Sequence, residues 1–118
     1  QGGDPLSKDA SKRNMWGTGG PGYAIEDEHV SGAKLSNKRG TISMANSGPQ
    51  SGGSQFFINV VDNSYLDWDK PPQQSKHPVF EEAVMGMAVV DKIANVDVGA
   101  RDQPSEDIII NSVKIEEQ

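Results

Sequence analysis

Glycine and proline set what this chain can build. Thirteen glycines and seven prolines punctuate 118 residues. Gly2, Gly3, Pro5, Gly17, Gly19, Gly20, Pro21 and Gly22 make residues 1–22 a loop region with no room for a long regular element. The polar stretch between them, 7–16 (SKDASKRNMW), allows about one helical turn. Further on, "NSGPQSGG" at 46–53 is a turn-rich loop, and "DWDKPPQQSKHP" holds three prolines and reads as exposed loop. Only short runs survive between these breaks. Residues 23–30 (YAIEDEHV) are a brief extended segment and 34–40 (KLSNKRG) a polar turn. Residues 41–45 (TISMA), 54–60, 79–84 (VFEEAV) and 107–115 (DIIINSVKI) predict strands. Residues 86–96 (GMAVVDKIANV) predict a helix, with Met87, Val90, Ile93 and Ala94 on one stripe. Short strands, long loops and one helix favour an all-β or β-rich α+β domain, a barrel or sandwich.

One strand poses a question. In "GGSQFFINV", 52–60, a two-residue period puts Ser54, Phe56, Ile58 and Val60 on one face and Gln55, Phe57 and Asn59 on the other. The first is the expected core face. The second should meet water, yet it carries a phenylalanine between two amides.

The length suits one domain with one core. Hydrophobic residues make up 34%, low for a self-contained fold. With a net charge of −6, non-specific nucleic-acid binding is not expected, because phosphate neutralisation needs clustered Lys and Arg. The short basic cluster at 34–39 and the acidic run Glu26, Asp27, Glu28 read as solvated surface. There are no cysteines, which removes disulfides, thiolate catalysis and cysteine-ligated metals. No run approaches the ~18 apolar residues of a membrane span. No compartment is assigned; the cytoplasm is the default expectation.

Several motifs fail on their surroundings. "GTGGPG" at 17–22 matches G-x-G-x-x-G, but Pro21 and Gly22 follow where a phosphate-binding helix should start. His29 and His77 lie far apart in sequence without ligand-spaced neighbours, so no zinc site is expected. Asp67 and Asp69 resemble a fragment of a calcium loop that lacks its glycine and terminal glutamate. No serine sits in a nucleophile elbow. What remains is amide and aromatic chemistry: Asn46, Gln55, Phe57, Tyr65, Leu66 and His77. Each has a plain structural role open to it. Asn46 can shape its turn, Gln55 can pair across the strand, and Phe57 can sit under a loop. Together they would form a shallow apolar pocket rimmed by amides, better suited to an uncharged peptide than to an ion or nucleotide.

At this point a resemblance enters. "QGGDP" at 1–5, "GTGGPG" at 17–22, "GTISMANSGPQSGGSQFFI" at 40–58, "YLD" at 65–67, "KHPVF" at 76–80 and "GMAVVDKI" at 86–93 together resemble the cyclophilins, the cyclosporin-binding peptidyl-prolyl isomerases. The resemblance spans essentially the whole chain. It implies a mainly β fold, an eight-stranded antiparallel barrel capped by helices, and cis/trans isomerisation of X-Pro bonds to assist protein folding. No cofactor is implied, and the implied partners are proline-containing peptides or proteins. Carried over by motif, Phe57, Leu66 and His77 would hold the proline ring, and Gln55 would bond the substrate backbone. Gln1 would add a rim contact. Asn46 would pair with the residue before proline, flanked by Ala45 and Ser47. Gly17 and Thr18 would border the next subsite. Phe56, Ile58 and Val60 would then anchor the barrel interior while Gln55 and Phe57 face the groove.

The chain departs from the family pattern in four ways. The family's "F-H-R…P-G-F-M" segment, expected just before "QGGDP", is not in this sequence, nor are the first strands and first helix. The expectation is therefore a partial domain over 1–118, open at its edges and doubtful as an isomerase on its own. Tyr65 stands where many members have tryptophan, which would weaken cyclosporin-type ligands if the indole N–H is a contact. Residues 68–75 (WDKPPQQS) look like an insertion. Glu81 replaces a glycine usual after "VF". A binding module that holds proline peptides without turning them over is the alternative. An unrelated β-domain that binds carbohydrate or protein is a third reading, which needs the whole motif series to be coincidence.

Overall fold

The computed structural model describes residues 1–29, 35–70 and 76–117. Val30, Lys34 and residues 71–75 of the expected insertion lie outside the described residues. Three strands form one antiparallel sheet: β1 (Thr41–Met44), β2 (Phe56–Ile58) and β3 (Val79–Glu82), in the order β2-β1-β3. The helix α1 (Met87–Ala94) follows β3. Three-residue to six-residue 3-10 turns cover Pro5–Lys8, Ala10–Met15, Ser64–Leu66 and Ala100–Asp102.

β1, the start of β2 and β3, and the helix follow the alternation and spacing of the sequence. Two expectations change. The polar stretch at 7–16 is more helical than its glycine-rich flanks suggest. Asp4 and Asp9 each cap a short turn by accepting a backbone N–H, from Leu6 at 2.8 Å and Ser11 at 3.0 Å. The isoleucine-rich stretch at 107–115 is not a strand. Periodicity gives a strand only when a neighbour closes its hydrogen bonds, and no described segment pairs with it. Among the described residues the sheet is open, because three strands cannot tilt and stagger round to meet.

The β1–β3 register steps from Ile42↔Glu81 to Ser43↔Val79, leaving Phe80 as the extra residue of a bulge. That shift sets Val79 beside Ser43 and keeps Glu81 exposed on the edge strand. Gly40, buried at the turn into β1, has φ 92°. It bonds both ways, donating to Asn59 O and accepting from Ala83 N, each at 2.8 Å. A side chain there would strain the turn that aligns all three strands.

On the strand 52–60 one residue departs from alternation: Asn59 is buried on the face expected to meet water. Val79 is the one large apolar residue counted as buried among the described residues. The most deeply buried side chains are Asn37 (0% exposed), Ser43 (0%) and Asn59 (1%). The Gln55/Phe57/Asn59 face is therefore half sealed, while Phe56, Ile58 and Val60 are only partly covered. The helix α1 buries none of its residues, and Val84 (92%) and Met85 (84%) stand almost fully exposed.

Asn37 is the hub of the buried set. Its N–H and its Nδ2 donate to Asp67 Oδ1 at 2.8 and 2.9 Å, and Nδ2 also donates to His77 O at 3.1 Å. Its Oδ1 accepts from Ser43 Oγ at 2.6 Å, and its carbonyl from Asn63 N at 2.7 Å. Asn59 extends the network to Thr41 Oγ1 at 2.9 Å and Ser43 Oγ at 3.2 Å. Every polar atom of Asn37 is satisfied, which is what makes full burial tolerable. Asn37→Ala should cost about 2–4 kcal/mol in chemical denaturation, since it strands several buried partners at once. The uncovered apolar surface should also bind an environment-sensitive dye such as ANS strongly in the folded state. Weak dye binding with a cooperative unfolding transition would contradict that.

Candidate functional site

The register row Phe57–Ser43–Val79 crosses the sheet at its middle strand. Ser43 is pinned beneath by Asn37, so the phenylalanine has a fixed neighbour. The His77 ring meets Phe57 edge-on, centroids 5.4 Å apart and planes at 79°. His77 Nδ1 lies 2.9 Å from Met44 O. A carbonyl only accepts, so Nδ1 is the donor in this contact. His77 N donates to Leu66 O at 3.3 Å, which brings Leu66 to the same corner. The ring-binding trio expected from the sequence is thus linked: Phe57 to His77 by ring contact, and His77 to Leu66 by a backbone bond.

The amide side is equally tied. Gln55 Nε2 donates to Gly17 O at 3.1 Å and Gly19 O at 2.7 Å. Gln55 Oε1 accepts from Gln1 Nε2 at 2.7 Å. Ala45 N donates to Gln55 O at 3.1 Å, continuing the β1–β2 pairing past the last strand residues. Asn46 Nδ2 donates to Lys76 O at 2.6 Å, and its Oδ1 accepts from Gly48 N at 3.2 Å. Ser47 N donates to Ser51 Oγ at 2.8 Å. Asp27 and Gln50 close the far side of that loop reciprocally, at 2.8 and 3.1 Å. Gln1, Gly17, Gln55 and Ala45 thus form one connected group. Thr18 instead turns back on Met15 O at 2.6 Å, and Tyr65 stands 59% exposed on the Ser64–Leu66 turn.

Asp4 and Asp67 have no expected role in the sequence reading, yet each supports one side of the site. Burial opposes ionisation of Asp4, but N–H groups of Leu6, Gly19, Gly17 and Thr18 outweigh it and hold its pKa below the ordinary 3.8. Burial likewise works against Asp67, whose pKa is held down by Ser36, by the backbone and side chain of Asn37, and by Lys70. The sequence signals were there: "QGGDP" places an acid straight after a Gly-Gly turn, and Asp67 follows the aromatic-leucine pair. The calcium-like Asp67 is instead spent on Ser36 Oγ, at 2.6 Å, and Asn37.

A shallow pocket behind His77 is bounded by His29, Leu35, Trp68 and Val79. The His29 ring stacks on Trp68, 5.6 Å between centroids and 22° between planes. Both histidines, distant in sequence, line this pocket. Among the described residues no three metal-ligating side chains come together.

The open antiparallel sheet, the helix α1 that follows it and the Phe57–His77–Leu66 corner can now be compared with known proteins. Residues 1–115 match the family model "Cyclophilin type peptidyl-prolyl cis-trans isomerase/CLD". The chain belongs to this family. It is 46% identical over 99 residues to peptidyl-prolyl cis-trans isomerase B of Escherichia coli, covering 79% of this chain and 59% of that protein. It is 38% identical over 117 residues to peptidyl-prolyl cis-trans isomerase-like 2 of Cryptococcus neoformans, covering 98% of this chain and 18% of that one. The crystal structure of a cyclophilin-type peptidyl-prolyl cis-trans isomerase from Cryptosporidium parvum superposes with a TM-score of 0.75 at 25% identity, over 99% of this chain and 66% of that chain. The chain therefore spans less than two thirds of the length of each of these proteins.

The lowered pKa values fix the sign of an acid effect. Between the folded and the ordinary pKa the folded state binds fewer protons, so Asp4 and Asp67 stabilise it at neutral pH and that contribution is lost as pH falls through 3.8 and below. Denaturation midpoints should be flat from pH 7 to about 5 and drop below 4. In Asp67→Asn the drop should be smaller. An unchanged acid limb in that variant would show that Asp67 is not the linked group.

Proposed function

We propose that this chain acts in the cis/trans isomerisation of X-Pro bonds, supporting protein folding, by providing the groove that receives the proline ring. The observation that carries this reading is the Phe57–His77–Leu66 corner beside an amide-lined rim, in a chain of cyclophilin family. In this reading Phe57, Leu66 and His77 grip the ring, and Gln55 and Gln1 address the peptide backbone. Residues 45–47 border the residue before proline, with Gly17, Thr18 and Tyr65 at the margins.

The chemistry asked of such a site is limited but specific. Amide resonance sets a barrier of about 18–20 kcal/mol, and no bond need be broken to cross it. When the amide twists, the proline nitrogen regains its lone pair and becomes an acceptor. A fixed donor aimed at that nitrogen favours the twisted state over both planar isomers. Holding the ring while the acyl side turns converts binding into rotation about one bond.

That donor is where a second reading gains support. The chain has three arginines, and all three are engaged elsewhere. Arg13 pairs with Asp107, Arg39 holds Asp91 at 2.8 and 2.9 Å, and Arg101 donates to Asn14 O at 2.6 Å. None of these contacts touches the Phe57 corner. On this basis the chain by itself binds proline peptides and turns them over poorly. No nucleic-acid partner and no cofactor enters the proposal.

An isomerisation assay on an Ala-Pro peptide tests both parts. The chain alone should show little acceleration, while binding by NMR titration persists. Phe57→Ala should weaken that binding by about tenfold, the loss of ~1.4 kcal/mol of ring contact. Rapid turnover by the chain alone would remove the second reading; absence of binding would remove the first. For cyclosporin, Tyr65→Trp should raise affinity, and no gain would count against an indole contact.

A further inference from the structure

Gln55 sits at the centre of the amide rim, and the direction in which its amide points decides what it can offer a peptide. The structure fixes that direction by partner type. Two carbonyls, Gly17 O and Gly19 O, face one end of the amide, and carbonyls only accept. Only the NH2 end can answer both, so both Nε2 hydrogens are spent on the 17–19 loop. The oxygen end turns to Gln1, which donates to it. Gln55 therefore presents an acceptor, and Gln1 keeps its own oxygen and one remaining N–H for a ligand.

The loop that bears these carbonyls is held from behind at the adjoining peptide units, 16–17 and 18–19. Asp4 is 7% exposed, and its Oδ2 accepts from Gly17 N at 2.5 Å and Gly19 N at 3.1 Å. Its Oδ1 accepts from Leu6 N at 2.8 Å. It is a carboxylate satisfied by backbone N–H groups, a fixed anion around which the loop is wrapped. The fit is close: a Cβ on Gly19 would lie 2.1 Å from Asp4 Oδ1 and 2.7 Å from Leu6 Cγ. Residue 19 must be glycine for the carboxylate and the loop to approach so nearly.

We propose that Asp4 is a positioning residue: by clamping the 17–19 loop it fixes the Gln55 amide with its oxygen toward Gln1, and so sets the hydrogen-bonding polarity of the peptide groove. It touches no ligand itself. The inference deepens the groove reading above and rests on it for its consequence in binding, but the orientation of Gln55 can be tested in the free protein.

The test is NMR of the Gln55 side-chain NH2 in the full chain, in Asp4→Asn and in Gly19→Ala, followed by titration with an Ala-Ala-Pro peptide. In the unaltered protein both Nε2 protons should be shifted from free-amide values and exchange slowly with water. Asn at position 4 turns an NH2 toward N–H groups, and Ala at 19 pushes the loop from the carboxylate. Each should return the Gln55 protons to free-amide behaviour and weaken peptide binding by about tenfold, while the Phe57 and His77 resonances stay in place. If Asp4→Asn does not fold, Gly19→Ala decides. Unchanged Gln55 resonances in a folded variant overturn the proposal. If the unaltered protein binds no peptide, the groove reading fails, and the Gln55 resonances still decide whether Asp4 positions it.

Discussion

A fully buried asparagine holds this fold together. Asn37 stands just ahead of β1, yet it bonds Asp67 after the Ser64–Leu66 turn, His77 ahead of β3, Ser43 within β1 and Asn63 beyond β2. One side chain and its backbone thus fasten every segment that borders the Phe57 corner. Val79 is the one large apolar residue counted as buried among those described, so the deepest burial here is that of a satisfied polar network. Such a network is directional. It fixes register and side-chain position where greasy contacts would allow sliding, and it fails abruptly if one member is removed.

That directionality explains the geometry of the groove. Phe57 is neither core nor surface. It rides on a strand whose neighbour, Ser43, is locked from below, and His77 approaches it edge-on because the histidine is held at Met44 O and its carbonyl at Asn37. On the opposite rim a second buried acid, Asp4, organises the 17–19 loop and through it Gln55. The two rims rest on two carboxylates, each stabilised in its ionised form mainly by hydrogen-bond donors, with the Lys70 charge adding to this at Asp67.

Much of this was legible in the sequence, unevenly. The alternation in TISMA and VFEEAV gave β1 and β3, and the apolar stripe gave α1, because local period and local structure coincide there. The motif series identified the family and brought Phe57, Leu66, His77, Gln55 and Gln1 into view as a set. The burial of Asn59 was not legible because alternation assumes that amides seek water; Asn59 and Ser43 find protein partners instead and are buried. Residues 107–115 have strand composition without a strand, since pairing is a property of neighbours. Asn37 and Asp4 passed unnoticed, and Asp67 was seen only as a failed calcium-loop fragment, because long-range hydrogen bonds leave no periodic trace.

In the proposed reading a proline peptide docks at the Phe57–Leu66–His77 corner, which the Asn37 network holds. The most direct measurement is a residue-resolved NMR titration with an Ala-Pro peptide and its alanine-for-proline counterpart. The account predicts perturbations centred on Phe57, Leu66, His77 and residues 45–47, present for the proline peptide and much weaker for the other. Perturbations confined to the His29–Trp68 pocket or to the exposed face of α1, or equal responses to the two peptides, would contradict it.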